Sequence, residues 1–315
     1  MMTPFAVAIV NYNTREHLHA CLTTVQPEAP SEVVIVDNGS SDGSVEMVHA
    51  NYPFVVLCAN KVNLGYGAAA NQAIARCTAK YALLLNSDTL LRPGALRALT
   101  AYLDSHPRAA IVGPRLVNPD GTLQVSCYPF PTPLNTFVGN TTLSRLIRYV
   151  PALRNHYLLT WPHTSDRVVP WVKGAALAVR REAFEAVGGF DESFFMYSEE
   201  TDLCYRLWSA GWQVHFAPVT SVVHIGGVST MQVRTDMAVQ FFASLKQFYE
   251  RHYSKVRLIE MVAIVKSIML LRLLIDGTRL CFTRELGKCA ALAGDISAWK
   301  HLLLKQWRTP VTHSS

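Results

Sequence analysis

The chain has no basis for a disulfide framework. Its seven cysteines are odd in number and no two stand closer than eight positions apart, which argues against a stapled secreted scaffold and against a zinc knuckle. They read as reduced core thiols. Neither a leader nor a membrane span is expected. No basic stretch precedes the apolar run Phe5 to Val10, which is too short for a signal peptide. The most apolar later segment, 256–282, is broken by Glu260, Lys266, Arg272 and Asp276, so every uncharged run falls far below the roughly 20 residues a span needs. The expected address is the cytoplasm. Internal repeats and low-complexity tracts are absent, and with 315 residues, half of them apolar, the chain can bury a large core.

Charge is uneven along the chain. From residue 251 onward eleven Lys and Arg face four acids, while the first 250 residues hold 18 basic and 19 acidic side chains. The basic excess belongs to the tail. On a helical wheel, Arg257, Glu260, Arg272, Asp276 and Arg279 fall on one side, Lys266 lies opposite, and the remainder is aliphatic. Such a helix suits the interface of an anionic membrane; packing on the catalytic domain, or on a second subunit of a homodimer, fits the same pattern.

The front half alternates strands and helices. Segments 6–10, 32–37, 54–58 and 81–85 are short and aliphatic, as parallel strands covered on both faces should be. After the first, Asn13 and Glu16 have capping-box spacing, and Leu18, Cys21, Leu22 and Val25 recur on one helical face. The pattern predicts an α/β sheet that binds ligands at the carboxyl ends of its strands. Those ends are Asn11-Tyr12-Asn13, Asp37-Asn38-Gly39-Ser40 and Asn86-Ser87-Asp88, three polar clusters on one rim. Gly65, Gly67 and Ala70 fit a loose dinucleotide fingerprint, making an NAD(P)-dependent enzyme a rival. However, those glycines follow a loop, and the turn after the first strand, NYNTRE, contains none. Between Cys127 and Trp171 periodicity fails amid six prolines and Arg145, Arg148 and Arg154, as in a lid or substrate-binding segment.

Taken in order, IVNYNTREHLHACL, VIVDNGSSDGS, NLGYGAAANQAI, LLLNSDT and GGFDESFFMYSEETDLCYRLWSAGW resemble the family 2 glycosyltransferases, and within them the branch that includes bacterial rhamnosyltransferases. The resemblance spans roughly residues 5 to 230. It implies a GT-A fold with a mostly parallel central sheet. The catalytic domain would occupy 1–230, with a nucleotide-sugar half at about 1–125 and an acceptor half at about 126–230. A helical, membrane-associating extension would occupy 231–315. The implied reaction is transfer with inversion from a nucleotide diphosphate donor to a lipid-linked or cell-surface glycan acceptor. The sugar would be L-rhamnose from dTDP-rhamnose, with galactofuranose, glucose or N-acetylhexosamine from a UDP donor as the alternative.

Site residues follow from the resemblance together with the chemistry. A leaving diphosphate needs its charge neutralised, and Mg²⁺ or Mn²⁺ held by one carboxylate plus the donor phosphates suffices. Relatives show Asp-x-Asp where this chain has Asn86-Ser87-Asp88, leaving Asp88 as metal ligand and Asn86 for ribose or a metal-bound water. His224, 24 residues beyond Glu200, is the second expected ligand. Asp37 would accept the N3–H of uracil or thymine, with Asn11, Asn63, Gly65 and Asn71 beside the donor. Of the adjacent acids Glu199 and Glu200, the second would act as general base. Trp171, Lys173 and Asp202 are the expected acceptor contacts. A nucleotidyltransferase would need more basic residues near the first turn than Arg15, and a sugar-binding module gives no reason for Asp37, Asp88 and Glu200 to occur together. No nucleic-acid partner is expected, and the enzyme would sit peripherally at the inner face of the plasma membrane.

Overall fold

The computed structural model describes residues 3–139, 161–226 and 234–282 and a few positions between 296 and 303. Two compact units result: Met1–Pro129, Trp161–Phe195 and Glu199–Ser229 form one, and Phe130–Thr160, Met196–Ser198 and Thr230–Ser315 the other. Arg145, Arg148, Arg154 and Pro151 lie outside the described residues.

The first unit is built on a sheet of β1 (Thr3–Asn11), β2 (Pro30–Asp37), β3 (Val56–Ala59), β4 (Tyr81–Asn86), β5 (Thr89–Leu91), β6 (Ala109–Val117), β8 (Arg167–Val168), β10 (Ala176–Arg180) and β11 (Gln213–His224). A two-residue β7 (Cys127–Tyr128) pairs with β9 (Trp171–Val172) as a separate ribbon. The sheet order is β3-β2-β1-β4-β10-β6-β11-β5, with β8 on the side of β11. Strands β3, β2, β1 and β4 are mutually parallel, and β6 is parallel to β11. Strand β10 runs antiparallel between β4 and β6, and β5 antiparallel to β11. Crossing β10 reverses direction twice, so β11 again points its carboxyl end toward the rim formed by β1, β2 and β4.

Local sequence accounts for these elements. Leu83, Leu84 and Leu85 are all fully buried, because both faces of β4 are covered, and each contributes about 1.5–3 kcal/mol over leaving it exposed. Helix α1 (Arg15–Val25) buries Leu18, Cys21, Leu22 and Val25, the face expected from their spacing. Helix α2 (Ser44–Asn51) follows β2, α3 (Tyr66–Ala75) follows β3, and α4 (Ala95–Ser105) follows β5. Pro93 does mark the restart of helix, but α4 is opened by Gly94 in a left-handed conformation. Its free N–H groups go to Glu28, whose carboxylate accepts from Gly94 N at 2.6 Å and Leu96 N at 3.0 Å. Burial pushes the thiols of Cys21, Cys77 and Cys127 up to about 12, keeping them protonated.

Two local expectations are corrected. The capping box of Asn13 and Glu16 does not form. Asn13 adopts a left-handed conformation before Thr14, and its side-chain oxygen accepts from Ser41 N instead, at 2.8 Å. The third strand is not covered on both faces: it starts at Val56, lies at the sheet edge, and leaves Phe54 and Val56 about half exposed.

The second unit contains α5 (Pro133–Gly139), α8 (Arg234–His252) and α9 (Lys255–Phe282); α6 (Arg181–Ala186) and α7 (Glu199–Ser209) belong to the first. Helix α9 packs on α5 and α8, burying Met261, Val265, Ile268 and Met269. The charged side of the wheel is the packed side: Arg272 and Asp276 continue the buried stripe and are half-buried, while the opposite face, with Val256, Ile259, Leu270 and Leu274, is exposed and apolar. No described helix is long and apolar enough to cross a membrane.

Candidate active site

Strand order puts the rim's center between β1 and β4. To one side the sheet runs β1, β2, β3; to the other it runs to β4, so the loops after β1 and β4 diverge and open a crevice. Register brings the polar clusters level: Asn11 pairs opposite Asp37, and Val10 opposite Asn86.

A hydrogen-bonded net lines the crevice. Asn11 Nδ2 donates to Asp37 Oδ2 at 2.7 Å and to Ser40 Oγ at 3.2 Å, and its Oδ1 accepts from Thr14 Oγ1 at 2.7 Å. Thr14 and Ser87 hydroxyls meet at 2.6 Å. Asp37 Oδ1 accepts from Ser40 N at 2.8 Å, so Asp37 caps its own turn and braces Asn11; a base N–H would use the remaining lone pairs of the same oxygens. Asn38 Nδ2 donates to Asn63 Oδ1 at 2.8 Å and Gly65 O at 3.1 Å. Gly65 has a backbone conformation open only to glycine, and an added Cβ would stand 2.5 Å from Phe195 O. Both N–H groups of Asn71 are used on Phe190 O and Glu192 Oε1, so this side chain holds the 190–192 loop.

Asp88 is buried just beyond β4 and is not a helix cap. Its Oδ2 accepts from Gly226 N at 3.0 Å, and its Oδ1 lies 3.4 Å from Nε2 of His224, which the antiparallel pairing of β5 with β11 delivers. Burial pulls the Asp88 carboxyl upward, but His224 and the Gly226 N–H outweigh it and hold it below the ordinary range. Two ligands about 2.1 Å from one ion and roughly at right angles lie about 3.0 Å apart, so this carboxylate and imidazole fit as a partial cation site. Among the described residues no group of three or more His, Cys, Asp or Glu could hold a metal, so further ligands would come from donor phosphates and water. The Asn86 carboxamide makes no hydrogen bond among the described residues; the Asn86 backbone N–H donates to Ala175 O at 3.0 Å.

Two adjacent glutamates, Glu199 and Glu200, open α7. Tyr197 and Ser198 both have left-handed backbone, a costly arrangement for non-glycine residues and one concentrated at functional sites. Glu199 is buried with Oε2 unpartnered, and burial, then Glu200, pushes its carboxyl well up. Burial also raises Glu200, opposed by its own backbone N–H, the Gly174 N–H and Lys173. Glu200 Oε1 accepts from Gly174 N at 3.4 Å, and Tyr66 OH donates to Gly174 O at 3.0 Å. Burial, and then Glu199, Glu200 and Asp88, keep the Tyr66 hydroxyl protonated. Lys173, shifted downward by desolvation, feels the charges of Glu200 and Asp88.

Two of the expected acceptor contacts are engaged elsewhere. Asp202 is buried and ion-paired with Arg206 at 2.8 Å, whose other nitrogens donate to Val187 O and Gly189 O. Trp171 donates to Pro129 O at 2.9 Å and stacks on Tyr128. Sequence reasoning missed Tyr66, Gln124, Thr14 and Ser87. Ser87 sits inside a polar cluster already singled out, Thr14 directly follows another and Tyr66 lies between Gly65 and Gly67, whereas Gln124 carries no local signal.

A mixed α/β sheet with a polar crevice between β1 and β4, one buried carboxylate beside an imidazole, and a glutamate pair at a helix start fit the GT-A class of glycosyltransferases. The family model described as "Glycosyltransferase like family 2" matches residues 3–254, and the chain belongs to that family; it is a glycosyltransferase. A relative from Mycobacterium tuberculosis, "N-acetylglucosaminyl-diphospho-decaprenol L-rhamnosyltransferase", is 34% identical over 241 residues, covering 71% of this chain and 76% of that protein. Two solved structures share the fold. One is a mannosyltransferase from Pyrobaculum calidifontis in complex with GDP-Man and Mn²⁺ (TM-score 0.57, 16% identity, 96% of this chain and 88% of the other). The other is GalNAc-T7 with UDP, GalNAc and Mn²⁺ (TM-score 0.56, 15% identity, 79% and 48%).

The raised Glu199 carboxyl makes a stability prediction. A group that binds its proton more tightly folded than unfolded makes the folded state lose stability as pH rises from the ordinary carboxylate range through the raised value. Wild-type melting temperature should therefore fall across that window, and Glu199→Gln should flatten the fall; thermal melts of both proteins from pH 4 to 8 check it.

Proposed function

We propose that this enzyme transfers L-rhamnose, with inversion, from dTDP-rhamnose to a sugar carried on a lipid diphosphate. The observation that carries the reading is the likeness to the mycobacterial rhamnosyltransferase over 71% of this chain, whose name gives an N-acetylglucosaminyl lipid diphosphate as acceptor. A UDP-sugar donor is the alternative, because a carboxylate at Asp37 accepts the same N3–H from uracil as from thymine.

In this reading, the crevice between β1 and β4 takes the nucleotide, with Asn11 and Asp37 toward the base and Asn63 and Gly65 along its edge. Asn71 supports the loop opposite. Asp88 and His224 hold a divalent cation, Mg²⁺ or Mn²⁺, with Asn86 toward the ribose or a metal-bound water. When bound, the cation neutralises charge developing on the leaving diphosphate. Glu200 accepts the proton of the attacking acceptor hydroxyl; Glu199 keeps its own proton and adds no second charge beside it. Trp171 and Lys173 line the acceptor side, and Asp202 aligns α7 through Arg206.

The membrane side of the proposal rests on α9. Its exposed apolar face, with Val256 64% and Ile259 67% exposed, is flanked by Lys255, Arg257 and Lys266, a combination suited to an anionic bilayer surface that also presents the lipid acceptor. Peripheral attachment at the cytoplasmic face follows from this; self-association into a homodimer is the competing use of the same face.

Glu200→Gln should bind dTDP with wild-type affinity and lose about 10²- to 10⁴-fold in turnover, while Asp88→Asn should lose the metal dependence of nucleotide binding as well. Thermal shifts against dTDP-, UDP-, GDP- and CMP-sugars and NAD(P)H, with and without Mn²⁺, check the donor. A shift with NAD(P)H alone would overturn the whole reading. Co-sedimentation with vesicles containing phosphatidylglycerol should fall when Ile259 and Leu274 become Glu; unchanged sedimentation would remove α9 from the membrane.

A further inference from the structure

His224, at the end of β11, and Lys173, just beyond β9, converge on one atom. Gln124 Oε1 accepts from His224 Nδ1 at 2.6 Å and from Lys173 Nζ at 3.4 Å. Its Nε2 donates to Asn118 Oδ1 at 3.0 Å and to His224 O at 3.3 Å. With the oxygen toward two donors and the nitrogen toward two oxygens, the amide orientation is fixed by its partners. The backbone is anchored too, since Gln124 N donates to Leu116 O on β6 at 3.0 Å. This residue therefore grips both the ring and the carbonyl of His224 from a rigid strand edge.

Fixing Nδ1–H on Gln124 leaves Nε2 as the nitrogen that faces Asp88 Oδ1 at 3.4 Å. A ring free of that contact could rotate and carry Nε2 away from the carboxylate. The same oxygen holds the ammonium of Lys173, which sits beside the Gly174 peptide that contacts Glu200. We infer that Gln124 is a positioning residue: it aims His224 Nε2 at the cation site and ties Lys173, on the acceptor side, to the same hinge. The inference rests on the reading in which Asp88 and His224 hold a divalent cation. Partners of this kind, one bond behind a ligating imidazole, typically change metal affinity by about 10- to 100-fold when removed.

The test is Mn²⁺ binding in the presence of dTDP, followed by the electron paramagnetic resonance signal of free Mn²⁺. It compares wild type, Gln124→Leu, Gln124→Glu and His224→Ala, each with a metal-free thermal melt. Gln124→Leu should bind Mn²⁺ about 10- to 100-fold more weakly with an unchanged metal-free melt, and Gln124→Glu, which keeps an acceptor oxygen, should stay close to wild type. If Gln124→Leu melts early, Gln124→Met, which keeps the side-chain length, takes its place. Wild-type affinity in Gln124→Leu alongside weakened binding in His224→Ala overturns the positioning role and leaves the cation site standing. Equal weakening in Gln124→Leu and Gln124→Glu also overturns it, since the oxygen would then not matter. Undiminished binding in His224→Ala removes the cation assignment, and the role of Gln124 with it.

Discussion

A carboxylate taken out of water needs a partner, and that constraint organises the rim. Asp88 is 8% exposed, and desolvation alone would drive it to its neutral form. It stays ionised because β11 is long enough to bring His224 and Gly226 against it, and because β5 turns back antiparallel to β11 and fixes their register. The strand-to-rim geometry, the pairing of Asp88 with His224 and the sheet's mixed direction are therefore one feature. Were β11 parallel to β5, His224 would lie at the far end of the sheet.

The glutamate pair obeys the same constraint with the opposite outcome. Glu199 and Glu200 are adjacent at the start of α7, and among the described residues Glu199 Oε2 has no hydrogen-bond partner, so burial, then Glu200, pushes its carboxyl well up. Glu200 has Lys173 nearby and two backbone N–H groups, which oppose its burial. The two carboxyls thus differ in character through their surroundings, the difference on which the proposed division of roles between them rests. Tyr66 and Gly174 connect this pair to the nucleotide side: the Gly174 peptide accepts from Tyr66 at its carbonyl and donates to Glu200 at its nitrogen.

Much of this was legible in the sequence because it depends on short-range pattern. Continuous aliphatic runs marked β1, β2 and β4, and their polar ends marked the rim, since strand direction and ligand side are linked in parallel sheets. The i, i+4 spacing of Asp202 and Arg206 suits an ion pair, yet shows neither its burial nor its role in tying down residues 187–189. What stayed hidden depends on partners distant in sequence. The three-residue β5 is too short to have a period, the antiparallel β10 is as aliphatic as its parallel neighbours, and Gln124 acquires meaning only when His224, 100 residues on, arrives beside it. The covered stripe of α9 stayed hidden for a related reason: apolar residues encircle much of it, and only packing on α5 and α8 decides which stripe is covered.

Asp88 and His224 as joint ligands are the center of the account, and anomalous diffraction from a crystal grown with Mn²⁺ and dTDP addresses them directly. The account predicts one strong manganese peak about 2.2 Å from both an Asp88 carboxylate oxygen and His224 Nε2, with nucleotide phosphate on its open side. A peak held by other residues, or nucleotide bound in the crevice with no manganese beside Asp88, would contradict it.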